Sequence, residues 1–224
     1  MIDILFIGAH PDDEQSVSGL LIKAKKEGLK TGIVILTKGE AGGFATKETR
    51  VQELNNAKKI MKIDYFKNLD FEDSNVEFST DSVNKLIPIF VETQPKIIIT
   101  LHPDDYHPDH KAVSKIVDRT TFVAGLKKNI KNHTWHPSQI FYVSLDPRTN
   151  KKTPDLLINI ENEIEQKIEA LKCYESQEIE YSLVLHAKYL GNLSGCEYAE
   201  GLYYKQPLLI NELGSLIHEK TRCR

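Results

Sequence analysis

The stretch from Ile2 to Glu14 reads IDILFIGAHPDDE, and the fold turns on how it is read. Its first half, Ile2 to Gly8, is an apolar run closed by glycine. That is the pattern of a strand buried on both faces of a parallel sheet. Its second half sets one imidazole and three acids side by side. Burying even one uncompensated carboxylate is expensive, or forces it to take up a proton. Residues 10–14 therefore belong at the open end of that strand, beside something that offsets their charge. In open parallel sheets, sites form beyond the carboxyl ends of the strands.

Working outward, the same alternation continues. Ser16–Glu27 has helical spacing, and Gly28 is placed to cap it. Thr31–Thr37 (TGIVILT) is a second buried strand, followed by the Gly-rich loop KGEAGGFAT. Lys47–Met61 reads as an amphipathic helix. Further strands are expected over Ile63–Leu69, Lys96–Leu101, Ile140–Ser144 and Asp155–Ile160. Further helices are expected over Asp81–Glu92, His110–Ala124, Asn162–Tyr174 and Ser182–Leu190. The polar segment Lys127–Pro137 reads as a long loop. Alternating strands and helices imply an α/β fold: a three-layer, Rossmann-like, mostly parallel sheet with helices on both faces.

Size and charge narrow the function. A chain of 224 residues builds one ordinary domain with a sizeable core. A formal net charge of -3 gives no basic excess for nucleic acid or an anionic membrane. Cys173, Cys196 and Cys223 are widely spaced and form no CxxC pair, which argues against a disulfide framework or a thiolate zinc knot. A reducing, cytoplasmic setting is expected. The first residues lack a basic segment and a small-residue cleavage site, and their apolar run is too short for a signal core or a membrane span.

Two motifs carry the chemistry. One is His10-Pro11-Asp12-Asp13; the other runs from His102 to His110 (HPDDYHPDH) after the strand KIIITL. Either alone could be a turn leading into a helix N-cap, where aspartate suits the positive end of the helix dipole. Found together at the ends of two apolar runs, they are better explained by a divalent metal, whose charge stabilises carboxylates and which takes neutral imidazoles as ligands. One His and one Asp from the first loop and one His from the second would supply three ligands and leave a position open. A second, non-ligating Asp would then accept a proton.

At these residues the chain resembles a known family. IGAHPDDE, the Gly-rich loop leading to an arginine on a helix (GEAGGFATKETRVQE) and HPDDYHPDH resemble the LmbE/PIG-L-type zinc-dependent N-acetylglucosamine deacetylases. EALKCYESQ and YAEGLYYKQPLLI resemble segments of the glucosaminyl-malate deacetylases of bacillithiol biosynthesis. The resemblance implies an LmbE-like fold with residues 1–224 as a single deacetylase domain. It implies one Zn2+ per chain, held by His10, Asp13 and His110. Asp12 would be the general base, His107 the oxyanion stabiliser, and Asp109 the residue that orients and charges His107. Arg50 would contact a sugar hydroxyl. Tyr181 lies near the place of a tyrosine thought to assist the oxyanion, in a segment shorter here than in bacillithiol-type relatives.

The implied reaction is hydrolysis of the acetamide of a small-molecule N-acetylglucosaminyl conjugate, such as N-acetylglucosaminyl malate. A chitooligosaccharide or another such conjugate is the alternative substrate, and a non-catalytic sugar- or metal-binding protein is the alternative class. Neither nucleic acid nor membrane is expected as a partner; relatives form oligomers, so a homo-oligomer is an expectation too. Other residues have plainer readings. Glu14 suits a helix start or a partner behind a ligand. Arg50, without the family, would be a surface cation pairing with Glu53. Residues 38–43 lack the GK[ST] of a phosphate loop and read as a pocket rim. Asp104 and Asp105 are alternative ligands or turn acids. His133 and His136 flank Trp135 in a polar loop, and His186 and His218 look like ordinary surface histidines.

Overall fold

The computed structural model describes residues 1–42, 45–126, 135–143, 145 and 152–209. Among these, seven strands form one sheet: β1 (Ile4–Gly8), β2 (Thr31–Thr37), β3 (Tyr65–Phe71), β4 (Ile97–Leu101), β5 (Gln139–Val143), β6 (Leu156–Asn159) and β7 (Ala199–Tyr204). Their order is β3-β2-β1-β4-β5-β7-β6. Strands β1 to β5 are parallel, whereas β7 runs antiparallel to both of its neighbours. Six α-helices accompany them: α1 (Ser18–Lys26), α2 (Lys47–Met61), α3 (Thr80–Thr93), α4 (Pro108–Ala124), α5 (Ile164–Leu171) and α6 (Glu180–Ser194). Helices α1, α2 and α5 pack together, and α3 packs on α4, giving a layer on each face. Helix α6 lies against β7 and β6.

The chain order explains where a site can form. From β1 the chain moves to β2 and β3 on one side, then returns to β4 on the other. The crevice between the carboxyl ends of β1 and β4 is the switch point of such a sheet. Every residue of β1 and β2 is buried, so polar residues appear only where the strands end. Two buried threonines hold the end of β1 and the loop after it: Thr100 Oγ1 donates to the Ile7 carbonyl and Thr37 Oγ1 to that of Ala9, both at 2.9 Å.

Several expected boundaries shift. The helix expected from Ser16 is a 3-10 turn over Asp13–Val17 followed by α1. The helix expected from His110 starts at Pro108, whose fixed φ suits the first helical position. Strand β3 lies two residues later than the apolar run suggested. Strand β7 was not anticipated, because Glu200 and Gly201 at its centre break the pattern of a buried strand. Gly201 is required: a Cβ there would lie 2.5 Å from the Pro154 ring. The loop expected over Lys127–Pro137 lies largely outside the described residues. No described helix is long and apolar enough to cross a membrane.

Helix α6 meets the turn before β7 through Gly191. A Cβ there would sit 2.5 Å from the carbonyl carbon and oxygen of Glu197, backbone that cannot rotate away. Gly191→Ala is therefore expected to cost about 1–3 kcal/mol, the usual range for overpacking, read as a lower midpoint in thermal denaturation.

Candidate metal centre and active site

The first motif is shaped by a reversal of the chain after β1. Gly8 allows it, since a Cβ would come within 2.8 Å of the Phe6 ring and 2.9 Å of Asp13 Cβ. Asp13 Oδ2 accepts the backbone N–H groups of Ala9 (2.7 Å) and His10 (2.9 Å). That fixes the carboxylate and leaves Oδ1 facing outward. Asp12 adopts φ 113°, a conformation L-residues rarely take. Its N–H is held by Glu14 Oε2 at 3.1 Å. Glu14 is itself fully buried and accepts from the Tyr174 hydroxyl and the Gln15 amide. Burial pushes the Glu14 carboxyl up. It supports the loop from behind, as its sequence reading allowed.

The second motif is shaped by the start of α4. His107 is the N-cap, its Nδ1 accepting the Asp109 N–H at 3.2 Å. A neutral His107 therefore carries its hydrogen on Nε2 and is a donor. Burial, followed by the charges of His10 and His110, lowers its pKa and favours that neutral form. His110, one turn on, stacks against it at 4.7 Å. Nδ1 of His110 lies 3.1 Å from Asp105 Oδ1, although off the hydrogen-bonding line.

The loops bring His10 and His110 together across the switch point. His10 Nε2 faces Asp73 Oδ1 (3.0 Å) and Asp109 Oδ2 (3.1 Å), so its hydrogen belongs there and Nδ1 is bare. His10 Nδ1 lies 3.3 Å from His110 Nε2, and His110 Nε2 lies 3.4 Å from Asp13 Oδ1. Ligand atoms at tetrahedral zinc distances of about 2.0–2.1 Å are separated by about 3.3–3.4 Å. Two of the three spacings therefore match a tetrahedral cation, whereas His10 Nδ1 comes no nearer to the Asp13 carboxylate than 3.9 Å, at Oδ2. Two imidazole nitrogens facing each other cannot both carry hydrogen once a cation sits between them, so binding one would displace protons from these rings. Burial disfavours charge on these rings, but the surrounding acids outweigh it and push both His10 and His110 above the usual histidine range. Among the described residues, nitrogens of His10, His107 and His110 lie within 4.8 Å of one another, as do a His10 nitrogen and oxygens of Asp73 and Asp109.

Asp12 stands beside this set. Its Oδ2 accepts from Arg50 Nη2 at 3.2 Å, and the same nitrogen donates to the Pro11 carbonyl at 2.7 Å. Burial and the charges of Asp13 and Glu14 raise its pKa to about 8, against the pull of Arg50 and His10. The Arg50 guanidinium packs flat on Gly39, where a Cβ would sit 3.0 Å away.

The model of the family described as PIG-L, GlcNAc-PI de-N-acetylase, matches residues 5–121, which hold both motifs. The chain belongs to the PIG-L family. A Bacillus subtilis (strain 168) protein named probable N-acetyl-alpha-D-glucosaminyl L-malate deacetylase 2 is 34% identical over 133 residues, 53% of this chain and 60% of that protein. The chain thus spans about 60% of that relative's length. The crystal structure of the conserved protein TT1542 from Thermus thermophilus superposes with a TM-score of 0.86 at 30% identity, covering 94% of this chain and 97% of that one. GalB, the 4-carboxy-2-hydroxymuconate hydratase from Pseudomonas putida KT2440, superposes with a TM-score of 0.87 at 20% identity, over 95% and 100% of the two chains. That last likeness concerns the fold alone. Within the PIG-L frame, the reaction has to be argued from the site.

Some expectations fail against this geometry. The Asp109 carboxylate does not turn to His107. It accepts the N–H groups of Ser74 (2.9 Å) and Val76 (3.3 Å) and faces His10, so it orients His10. Tyr181 is 79% exposed on the first turn of α6 and lines a groove with Ser16 and Leu185, not the histidine cluster. Arg50 is buried rather than a surface partner of Glu53, which binds Ser176 instead. His102 packs against Tyr142 and Tyr203. His136 lies against Gly125, and His186 lines the α6 groove; His133 and His218 lie outside the described residues. Asp73 went unnoticed in the sequence, although it follows β3 as the two motifs follow β1 and β4. Its pKa falls to about 2: burial opposes ionisation, but His10 and the Ala41 N–H outweigh it.

Proposed function

We propose that the chain is a metal-dependent hydrolase that removes the N-acetyl group from an N-acetylglucosaminyl conjugate. One observation carries the reading: His10 Nδ1 and Asp13 Oδ1 lie 3.3 and 3.4 Å from His110 Nε2, beside a carboxylate, that of Asp12, which is not one of them. His10, Asp13 and His110 would hold one Zn2+. When bound, such a cation polarises an acetyl carbonyl and makes water acidic enough to attack near neutral pH.

The chain's own groups supply the remainder. Asp12, turned into the site by its strained backbone and steadied by Arg50, takes the proton of the attacking water. It can return that proton to the departing amine. His107 donates Nε2–H to the oxygen that gains charge, because capping α4 commits its other nitrogen. Asp73 and Asp109 hold His10, and Asp105 lies behind His110, as carboxylates commonly do behind metal-bound imidazoles. Arg50 is placed next to the base, where the family resemblance assigns it a sugar hydroxyl.

N-acetylglucosaminyl malate is the first conjugate to test, because the Bacillus subtilis relative carries that name. The free thiols of Cys173 and Cys196 support a reducing, cytoplasmic setting. The test is acetate release from N-acetylglucosaminyl malate, diacetylchitobiose and N-acetylglucosamine, with metal analysis. Chelation is expected to reduce release to background, and one zinc per chain to restore it. Zinc-loaded protein that frees no acetate from any of these sugars would leave a sugar- or metal-binding protein as the better reading.

A further inference from the structure

At the same edge of the sheet as the histidine cluster lies a second feature that this chemistry does not use. A groove of about 600 Å³ runs between α6 and the ends of β5 and β7. That is within the range of about 300–1,000 Å³ for small-molecule pockets. Val143, Leu145 and Leu190 line it, with Tyr181, Leu185 and Tyr189 along one rim. The three rim residues are spaced four apart on α6 and are 79%, 53% and 58% exposed, an apolar ridge presented to solvent.

The groove also contains Lys167 and Glu200, but their charges are already used. Lys167 Nζ donates to the Gln15 carbonyl, to Ser18 Oγ (3.2 Å) and to Glu200 Oε1 (2.7 Å), which occupies all three of its hydrogens. Glu200 accepts the first N–H groups of α1, from Gly19 (2.9 Å) and Leu20 (2.6 Å). The other basic side chain of the described lining is His186, which burial and the charge of Lys167 push toward its neutral form. The groove is nonetheless continuous with both loops of the candidate site. Ser16 lines it, and its hydroxyl donates to the Asp13 carbonyl at 2.7 Å. Val143 lines it, and its carbonyl accepts the His102 N–H at 2.8 Å.

We propose that this groove is a subsite for an uncharged, apolar group carried by the amino-sugar substrate, lying along α6 while the acetamide lies at the histidine cluster. It rests on the hydrolase reading above for the sugar, and on the groove itself for the apolar group. A dicarboxylate such as malate meets no free lysine or arginine among the described lining residues there. An alkyl or aryl group is matched to Leu185, Tyr189 and Val143, and each methylene it buries is worth roughly a threefold to fourfold gain in affinity.

Hexyl and methyl β-glucosides, which carry no acetamide, separate binding from turnover. With zinc-loaded protein in a calorimeter, the hexyl glucoside is expected to bind at least about tenfold more tightly than the methyl glucoside. Leu185→Asp, at an exposed rim position, is expected to erase that difference while leaving the methyl glucoside and the thermal midpoint unchanged. In turnover, hexyl N-acetylglucosaminide is expected to exceed N-acetylglucosaminyl malate in kcat/KM, with the advantage lost in Leu185→Asp. Equal affinity for the two glucosides, or a preference untouched by Leu185→Asp, would overturn the subsite. Hexyl selectivity without acetate release from any conjugate would support the subsite and defeat the hydrolase reading.

Discussion

Zinc-loaded Asp12→Asn protein is expected to keep one metal per chain and to release acetate about 100- to 10,000-fold more slowly than the wild type, the usual contribution of a general base. The substitution is a fair test because it removes little else. Asparagine is among the residues that best tolerate a positive φ, so the value of 113° at this position can persist. Its amide oxygen can still accept from Arg50 as Asp12 Oδ2 does at 3.2 Å. What disappears is the charge and the capacity to hold a proton. The loss should fall on kcat, with KM for the sugar nearly unchanged. Near-wild-type turnover would mean that another group takes the proton. Loss of metal as well as activity would mean that Asp12 is a ligand, and the division of labour between Asp12 and Asp13 would have to be redrawn.

The place of the two motifs was legible in the sequence because it follows from position. Both motifs end apolar runs, and only residues at strand ends can combine burial of the strand with a polar site. Strand β2 matches its expected bounds to the residue because all seven of its side chains are buried. Helix α2 does so because Thr46 caps its start and Lys62 ends it in the left-handed conformation. Other parts depend on contacts that no local pattern reveals. Asp73 follows β3, whose half-buried residues give a weak strand signal, so its alignment with the other two loops was hidden. The Tyr174 hydroxyl that holds Glu14 comes from 160 residues away. The Asp109 side chain was misdirected for a similar reason: its neighbour in sequence is His107, but backbone donors at Ser74 and Val76 draw it toward His10. Family resemblance supplied roles for residues near both motifs, but Tyr181 is on an exposed turn and lines the α6 groove.

The second large effect concerns Lys167, a charge hidden from every sequence pattern by its place in the apolar stripe of α5. Its side chain and that of Glu200 are 1% and 2% exposed, and their ion pair joins α5, β7 and the start of α1. Removing one partner of a buried pair strands the other's charge, which typically costs about 3–5 kcal/mol. Lys167→Met keeps the length of the side chain and its packing but abandons the Glu200 carboxylate to two helix N–H groups. For a chain of this size about 1 kcal/mol moves the melting midpoint by about 2–4 °C, so a fall of roughly 6–20 °C is expected. Adding Glu200→Gln should recover much of it, because the amide oxygen can still accept from Gly19 or Leu20 without a charge to solvate. This rescue separates electrostatics from packing: if the double variant melts no higher than Lys167→Met, the cost lay in the lost contacts of the lysine stem and of its bonds to Gln15 and Ser18. The same knot bears on the site, since Gln15 belongs to the turn that carries Asp13 and Ser18 follows it directly. A slackened turn should weaken zinc binding in the single variant and restore it in the double one, in step with the midpoint.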